Sequence, residues 1–332
     1  MKVTVKANAN IALTKYWGKK DAALKTPWNS STSITLEGLE TTTTVDFDKQ
    51  YTKDIFILDG KEYEETTDEY KEVKEQLDII RGKAKMDLKA KVMSKNDFPT
   101  AAGFASSASG LAALTFAASR AAGLNLSIKD LSIISRMGSG SASRSLIDGF
   151  AIWHRGSASD GLDSFAEQIL PKEAWPEFRI LGCVISKNAK KIKSRAGMAQ
   201  SVKTSPIFEQ WYTNAEKDAQ AMLQLVKDKN FEALGQLAQK NCLLMHACAI
   251  TTTPPVIYWA PGTLEVMHRV LELQDEGVKC YFTMDGGPQV KIICLEADVP
   301  KIKEEIKKLE SVHDIIECKP GAGPREIKEH LF

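Results

Sequence analysis

Neither sign of charge dominates this chain. With 44 basic against 43 acidic residues in 332, the formal net charge is +1, so no global field draws it to nucleic acid or an anionic membrane, and any attraction for anions must be local. Long apolar runs are missing too. None approaches the roughly 18 residues of a transmembrane helix, and "MKVTVKANANIALTKYW" alternates like a strand where a secretory signal carries an apolar core. The six cysteines (Cys183, Cys242, Cys248, Cys280, Cys294, Cys318) form no C-x-x-C pair, which points to free thiols in a reducing cytoplasm rather than disulfides or structural zinc. Histidine offers no metal-ligand spacing, since His246 and Cys248 at i, i+2 fall on different helix faces. There is no G-x-S-x-G elbow for a hydrolase and no G-x-x-x-x-G-K-[ST] loop. Internal repeats and low-complexity linkers are also absent.

What remains is an ordinary globular composition, 43% hydrophobic and 26% charged, in a chain long enough for one large domain or two joined ones. Residues 2–63 read as strands, with Asp59-Gly60 as a hairpin turn. A polar helix follows over 68–83, then the strand "LKAKVMS" and a small-residue helix over 106–122. Ser127 to Asp130 fits a helix cap, and the helix it starts runs into a second Gly/Ser loop, "MGSGSASRS". "FRILGCVIS" is a buried strand. "TSPIFEQW" predicts a helix start with Ser205 as cap and Pro206 at the first position, and helices over 207–226, 231–249, 264–276 and 299–310 surround the strands "VKCYFTM", "QVKIICLE" and "DIIEC". Strands before, between and after helices imply an α+β fold with helices packed on antiparallel sheets, in two lobes sharing a cleft. The expected division is 1–185 and 186–332, with the boundary near 175–205.

Several stretches suit phosphate chemistry. "FPTAAGFASSASG" places Gly103, Ala105, Ser106 and Ser107 between a strand and a helix, where unpaired backbone N–H groups carry partial positive charge and small residues let an anion approach. The same pattern suits a tight packed turn. "GSGSASRS" adds Arg144, whose rigid fork of donors matches a carboxylate or phosphate. In "NANIALTKYWGKKD", Lys15 lies on the inward face if Ile11 and Leu13 alternate inward, although a solvated basic patch is the simpler reading. "NAKKIKSRAGM" supplies Ser194 and Arg195 in a loop without clear periodicity. Asp285 in "TMDGGPQVK" reads by itself as part of a hairpin turn.

Taken in order, "NIALTKYWGKKD", "PWNSSTSITL", "FPTAAGFASSASG", "RMGSGSASRS", "SRAGM", "MHACAITTTPP" and "YFTMDGGPQVK" resemble the diphosphomevalonate decarboxylases of the GHMP kinase superfamily over about residues 8–291. The resemblance implies a two-lobed fold and an enzyme that uses ATP and Mg²⁺ to phosphorylate the 3-hydroxyl of mevalonate 5-diphosphate, then loses phosphate and carbon dioxide to give isopentenyl diphosphate. It implies Asp285 at that hydroxyl with Lys15 beside it, and Arg144 on the substrate carboxylate. Asn10, Tyr16, Lys19, Ser139, Gly140, Ser141, Ser194 and Arg195 would line the acid and diphosphate site. Gly103, Ala105, Ser106, Ser107 and Ser109 would hold ATP, with Ser107 reaching Mg²⁺, and a cytoplasmic homodimer is expected. Thr14, Trp28, Asp148 and Gly286 depart from the commonest family pattern, and Asp148 is expected near Arg144, where it would alter the charge felt by the acid. Relatives acting on mevalonate 5-phosphate, on the 3,5-bisphosphate without ATP, or only as 3-kinases remain alternatives, as does a non-catalytic protein that kept the fold. The presence of both Lys15 and Asp285 argues against the 3-kinases, and the presence of the acid together with the glycine loop argues against the non-catalytic protein.

Overall fold

The computed structural model describes residues 1–98, 106–186, 188 and 190–332. Its frame is the antiparallel pair β1 (Lys2–Ala12) and β2 (Ser31–Asp48), matched from Lys2↔Asp46 to Ala12↔Ser33 with a bulge between Asn8 and Asn10. Bulges bend a strand and re-aim its side chains, and Asn10 is one of the residues of interest. The hairpin β3 (Ile55–Leu58) and β4 (Lys61–Glu62) turns through Asp59 and Gly60 at φ 49° and 81°, the left-handed pair that two-residue hairpins favour. Next come α1 (Asp68–Ala84), capped by Thr67, β5 (Lys89–Asn96), α2 (Ser106–Ala121) and α3 (Ile128–Gly138), capped by Ser127 as the sequence indicated. These helices bury Val5, Val45, Leu77, Val92, Ala112 and Leu131 in one core, where a large aliphatic side chain contributes about 1.5–3 kcal/mol.

β6 (Phe150–Trp153), β7 (Ala166–Leu170) and β8 (Phe178–Val184) precede α4 (Ser194–Thr204), α5 (Phe208–Lys227) and α6 (Phe231–Ile250). Then follow α7 (Pro261–Asp275), β9 (Cys280–Thr283), β10 (Val290–Leu295), α8 (Val299–Ile306), β11 (Asp314–Pro320) and β12 (Arg325–Ile327). The strands form a single α+β scaffold in the order β4-β3-β5-β2-β11-β8-β10-β9, with β1, β6, β7 and β12 joined at β2 and β1. β11 is the stitch, pairing with β8 through Asp314 to Cys318 and with β2 through Lys319 and Pro320. α6 buries one broad face through Phe231, Leu234, Ala238, Cys242, Met245 and Ala249. A Cβ at Gly235 would lie 1.9 Å from the Tyr281 ring, so glycine is what lets α6 sit against β9.

Four expectations change. "SRAGM" is helical rather than a loop, forming the start of α4, and Ser205 closes that helix instead of opening the next, its N–H donating to Ser201 O at 3.0 Å. α5 begins later, at Phe208. "GSGSASRS" winds into a 3₁₀ segment, Gly140–Leu146, because its small residues allow tight turns against neighbouring aromatics. The six cysteines are free thiols, as expected, and all are buried. Among the described residues, no helix is long and apolar enough to cross a membrane.

Candidate active site

β1 delivers Lys15 just past its end. The chain bends after Ala12, and the Lys15 side chain turns back so that Nζ donates to Ala12 O at 2.7 Å and Asp285 Oδ1 at 2.9 Å. Asp285 stands in the connection between β9 and β10, a tight turn closed by Gly287 N–H donating to Asp285 O at 2.8 Å. Lys291, opposite Thr283 in the β9–β10 ladder, brings its Nζ to 3.7 Å from Asp285 Oδ2. Both lysines are 1% exposed while the Asp285 side chain is 32% exposed, so the carboxylate alone opens to the cleft. Burial by itself would raise the Asp285 pKa, but the Lys15 and Lys291 ammoniums, with Arg144 farther off, hold it below the ordinary carboxylate range. Burial lowers the Lys291 pKa, and Asp285 partly offsets this.

The 3₁₀ segment presents Arg144 from the other side. Its Nε donates to Asn10 Oδ1 at 3.2 Å and its Nη1 to Ser31 Oγ at 2.6 Å. Burial brings its pKa down to about 10, so it stays charged at neutral pH. Asn10 is fixed in turn, Nδ2 donating to Ser141 O at 3.0 Å and Ser145 Oγ at 2.7 Å. Gly140 has no room for a side chain, since a Cβ would come within 2.5 Å of Trp153 and 3.0 Å of Tyr16. Those two rings meet edge to face at 4.8 Å, and both the Tyr16 hydroxyl and the Trp153 indole N–H are buried without a protein partner. Buried polar groups are ordinarily satisfied, and two orphans near a guanidinium suit the oxygens of an anionic ligand. Ser139 and Ser141 hydroxyls lie 3.2 Å apart on the same segment.

α4 closes the cleft from the C-terminal half. Arg195 pairs with Glu72 of α1 and donates to Gly138 O at 2.6 Å. Lys19 is half-buried, its pKa lowered by burial and by the nearby Arg195 and Lys25. Ser194 Oγ accepts from Lys190 Nζ at 2.7 Å, and the same ammonium donates to Gly286 O at 2.6 Å. Burial lowers the Lys190 pKa to about 8, with Asp285 opposing the shift and Lys291 adding to it.

The structure therefore brings together Lys15, Asp285, Arg144, Asn10, Tyr16, Ser139, Gly140 and Ser141, with Lys19, Ser194 and Arg195 at the α4 side. Ser107 is exposed in the first turn of α2. Gly103, Ala105 and the Ser106 side chain lie outside the described residues. Ser109, expected at the nucleotide, is instead fully buried, with its hydroxyl 2.7 Å from Thr41 Oγ1 on β2. Asp148 does not engage Arg144; its Oδ1 accepts from Lys172 N–H at 2.8 Å, so its charge is spent on the backbone. Lys291, Lys190 and Ser31 were missed, although a lysine inside the apolar run "QVKIICL" is itself a signal. A separate cavity of about 830 Å³ between α6, α7 and β9 holds none of these residues. Its lysines, Lys240 and Lys279, are paired with Asp218 and Glu232, which leaves it without the anion-binding character of the cleft.

Comparison with known proteins finds relatives along both halves of the chain. Residues 7–166 match the diphosphomevalonate decarboxylase-like N-terminal domain and residues 180–320 the mevalonate 5-diphosphate decarboxylase C-terminal domain. The chain is 35% identical to the diphosphomevalonate decarboxylase of Bos taurus over 322 residues, 92% of this chain and 80% of that protein. It superposes with a TM-score of 0.91 on MDDEF solved in complex with MVAPP, AMPPCP and magnesium, at 41% identity and 99% coverage of both chains. The mevalonate diphosphate decarboxylase from Staphylococcus aureus gives 0.91 at 38% identity, covering 98% of both. Matched to these proteins along nearly its whole length, the chain belongs to the diphosphomevalonate decarboxylase family.

Proposed function

We infer that the chain catalyses the ATP-dependent decarboxylation of mevalonate 5-diphosphate to isopentenyl diphosphate. The observation that carries the residue assignment is the Asp285 carboxylate, open to the cleft and flanked by the buried ammoniums of Lys15 and Lys291. Asp285 accepts a hydrogen bond from the substrate 3-hydroxyl and orients its oxygen toward the γ-phosphorus. As the new O–P bond forms and the bond to ADP breaks, the hydroxyl proton passes to Asp285. A carboxylate is too weak a base to ionise a tertiary alcohol beforehand. Transfer has to come late, when the oxygen is already bonding phosphorus, which a loose phosphoryl-transfer transition state permits. Lys15 keeps Asp285 ionised and offsets negative charge gathering on the oxygens.

Arg144, held by Asn10 and Ser31, takes the substrate carboxylate. When the C3–O bond to the installed phosphate breaks, the electron pair of the C–C bond to the carboxylate moves into the new double bond, and phosphate and carbon dioxide leave. Tyr16, Lys19, Ser139, Ser141, Ser194 and Arg195 bind the acid and its diphosphate. Backbone N–H groups at the start of α2, with Ser107, hold the ATP phosphates. Among the described residues no three His, Cys, Asp or Glu side chains group as a metal site. Magnesium would accordingly take most of its oxygens from nucleotide and water, with Ser107 as a protein ligand, and would neutralise phosphate charge. Lys190 completes the cation ring on the Asp285 side. Free buried thiols and balanced charge support a cytoplasmic enzyme, and a homodimer is the expected assembly.

The test is product formation from mevalonate 5-phosphate, 5-diphosphate and 3,5-bisphosphate, each with and without ATP. The reading requires carbon dioxide and isopentenyl diphosphate from the 5-diphosphate only when ATP is present. Turnover confined to the 5-phosphate, or to the bisphosphate without ATP, rejects it.

A further inference from the structure

We propose that Asn241 of α6 is a positioning residue for this reaction, acting through Lys15 by fixing the backbone from which the ammonium reaches Asp285. The proposal rests on the reading of Lys15 given above. Lys15 lies in a bend beyond β1, outside the strand ladder, so its own backbone hydrogen bonds have to come from elsewhere. Two asparagines supply them. Asn241 Oδ1 accepts from Lys15 N–H at 2.8 Å, and Asn29 Nδ2 donates to Lys15 O at 2.8 Å. Both asparagines are fully buried.

The orientation of the Asn241 amide is itself fixed. Its Nδ2 donates to Asp218 Oδ2 of α5 at 2.9 Å, and an ionised carboxylate can only accept, so the oxygen end must face Lys15. Asp218 is 5% exposed and its other oxygen pairs with Lys240 Nζ at 3.0 Å. A relay of donors and acceptors therefore runs from Asp218 through Asn241 to the backbone N–H of Lys15.

The next residue on α6 does the corresponding task for the other half of the pair. Cys242 Sγ accepts from Met284 N–H at 3.0 Å, and Met284 directly precedes Asp285. Consecutive residues of one helix thus hold the backbones that carry the ammonium and the carboxylate, which meet at 2.9 Å. Lys15 and Asp285 come from opposite ends of the chain, and α6 sets the distance between them. Displacement of a catalytic group by about 1 Å can cost on the order of 100-fold in rate.

Asn241→Ala is made in the parent and in the Lys15→Met background, and kcat and both KM values are measured. In the parent, kcat should fall about 10- to 100-fold while the KM for ATP changes little. In the Lys15→Met background the same substitution should cost nothing further, because the group it positions is gone. An equal loss in both backgrounds overturns the proposal and makes Asn241 a fold residue only. A parental rate for Lys15→Met alone overturns the reading of Lys15 and this proposal with it.

A paired exchange covers the case in which Asn241→Ala does not fold. Asn241→Asp alone sets a carboxylate against Asp218 and should lower kcat. Combined with Asp218→Asn, it restores an acceptor toward Lys15 N–H and a donor behind it, and kcat should return to within about 3-fold of the parent. A double variant as slow as Asn241→Asp alone overturns the proposal.

Discussion

Replacing Lys15 by methionine probes the electrostatics of the cleft. Methionine keeps most of the buried stem and removes only the charge, and Asp285 retains Lys291 at 3.7 Å and the more distant Arg144. At 2.9 Å, a unit-charge pair in an effective dielectric of about 20 is worth roughly 6 kcal/mol. The open side of Asp285 and its remaining cations reduce this to the shift of about 1–3 pH units typical of a carboxylate that loses one neighbouring cation. The sign is fixed: Asp285 must be ionised to act, its pKa is depressed in the parent, and activity is lost only as pH falls through that pKa. The parent should therefore show no acid limb from Asp285 down to about pH 4, whereas Lys15→Met should bring a limb up into the ordinary carboxylate range near pH 4. Turnover at pH 8 should also fall about 10²- to 10⁴-fold through lost charge stabilisation. The assay is kcat/KM against pH, with circular dichroism to verify folding at each point. A variant with the parental pH profile and less than about 3-fold loss of kcat would show that Lys15 neither sets the Asp285 charge nor stabilises the transition state.

Other perturbations follow from the same geometry. Arg144→Met should raise the KM for the phosphorylated acid about 10- to 100-fold, the value of a charge-assisted hydrogen bond, with the KM for ATP nearly unchanged in initial-rate assays. Burial brings the Lys190 pKa down to about 8 in the free protein, so binding of the phosphorylated acid, whose site Lys190 joins through Ser194, should weaken as pH rises through 8 and the ammonium is lost. Lys190→Arg should remove that dependence in equilibrium titrations. Far from the cleft, Asp54 accepts from Arg81 and from Ala90 N–H, both acids and bases of that pair being about 5% exposed. Asp54→Ala should cost about 3–5 kcal/mol in urea unfolding by leaving a buried guanidinium short of a partner, without changing the KM values of the protein that remains folded.

Local chemistry was legible where one residue type had one reason to be present. The Asp59-Gly60 turn needs left-handed backbone and the Ser127 cap needs a short acceptor, and the structure has both; Lys15 is buried, but past the end of β1, so the bend of the chain and not strand alternation puts it there. What the residues did not reveal depended on tertiary partners. α4 has a weak apolar face and forms because Gly197 and Met198 pack into the cleft wall, so periodicity had little to report. β7 and β12 are short strands whose existence depends on the neighbour they pair with. Of the candidate site, Asp285 read as a turn acid by itself and only the family pattern singled it out. Lys291 stood inside an apolar strand, and Asn241 inside a helix, with nothing local to say that each faces a residue from a distant part of the chain.

The most direct test of the account is Asp285→Asn. The substitution keeps the shape and one hydrogen-bonding oxygen but cannot accept the hydroxyl proton, so ATP-dependent release of carbon dioxide from mevalonate 5-diphosphate should fall by at least about 10²-fold. Nucleotide affinity, measured by equilibrium titration on the same preparation, should stay within about 3-fold of the parent. Near-parental release of carbon dioxide by this variant would contradict the assignment of Asp285 at its root.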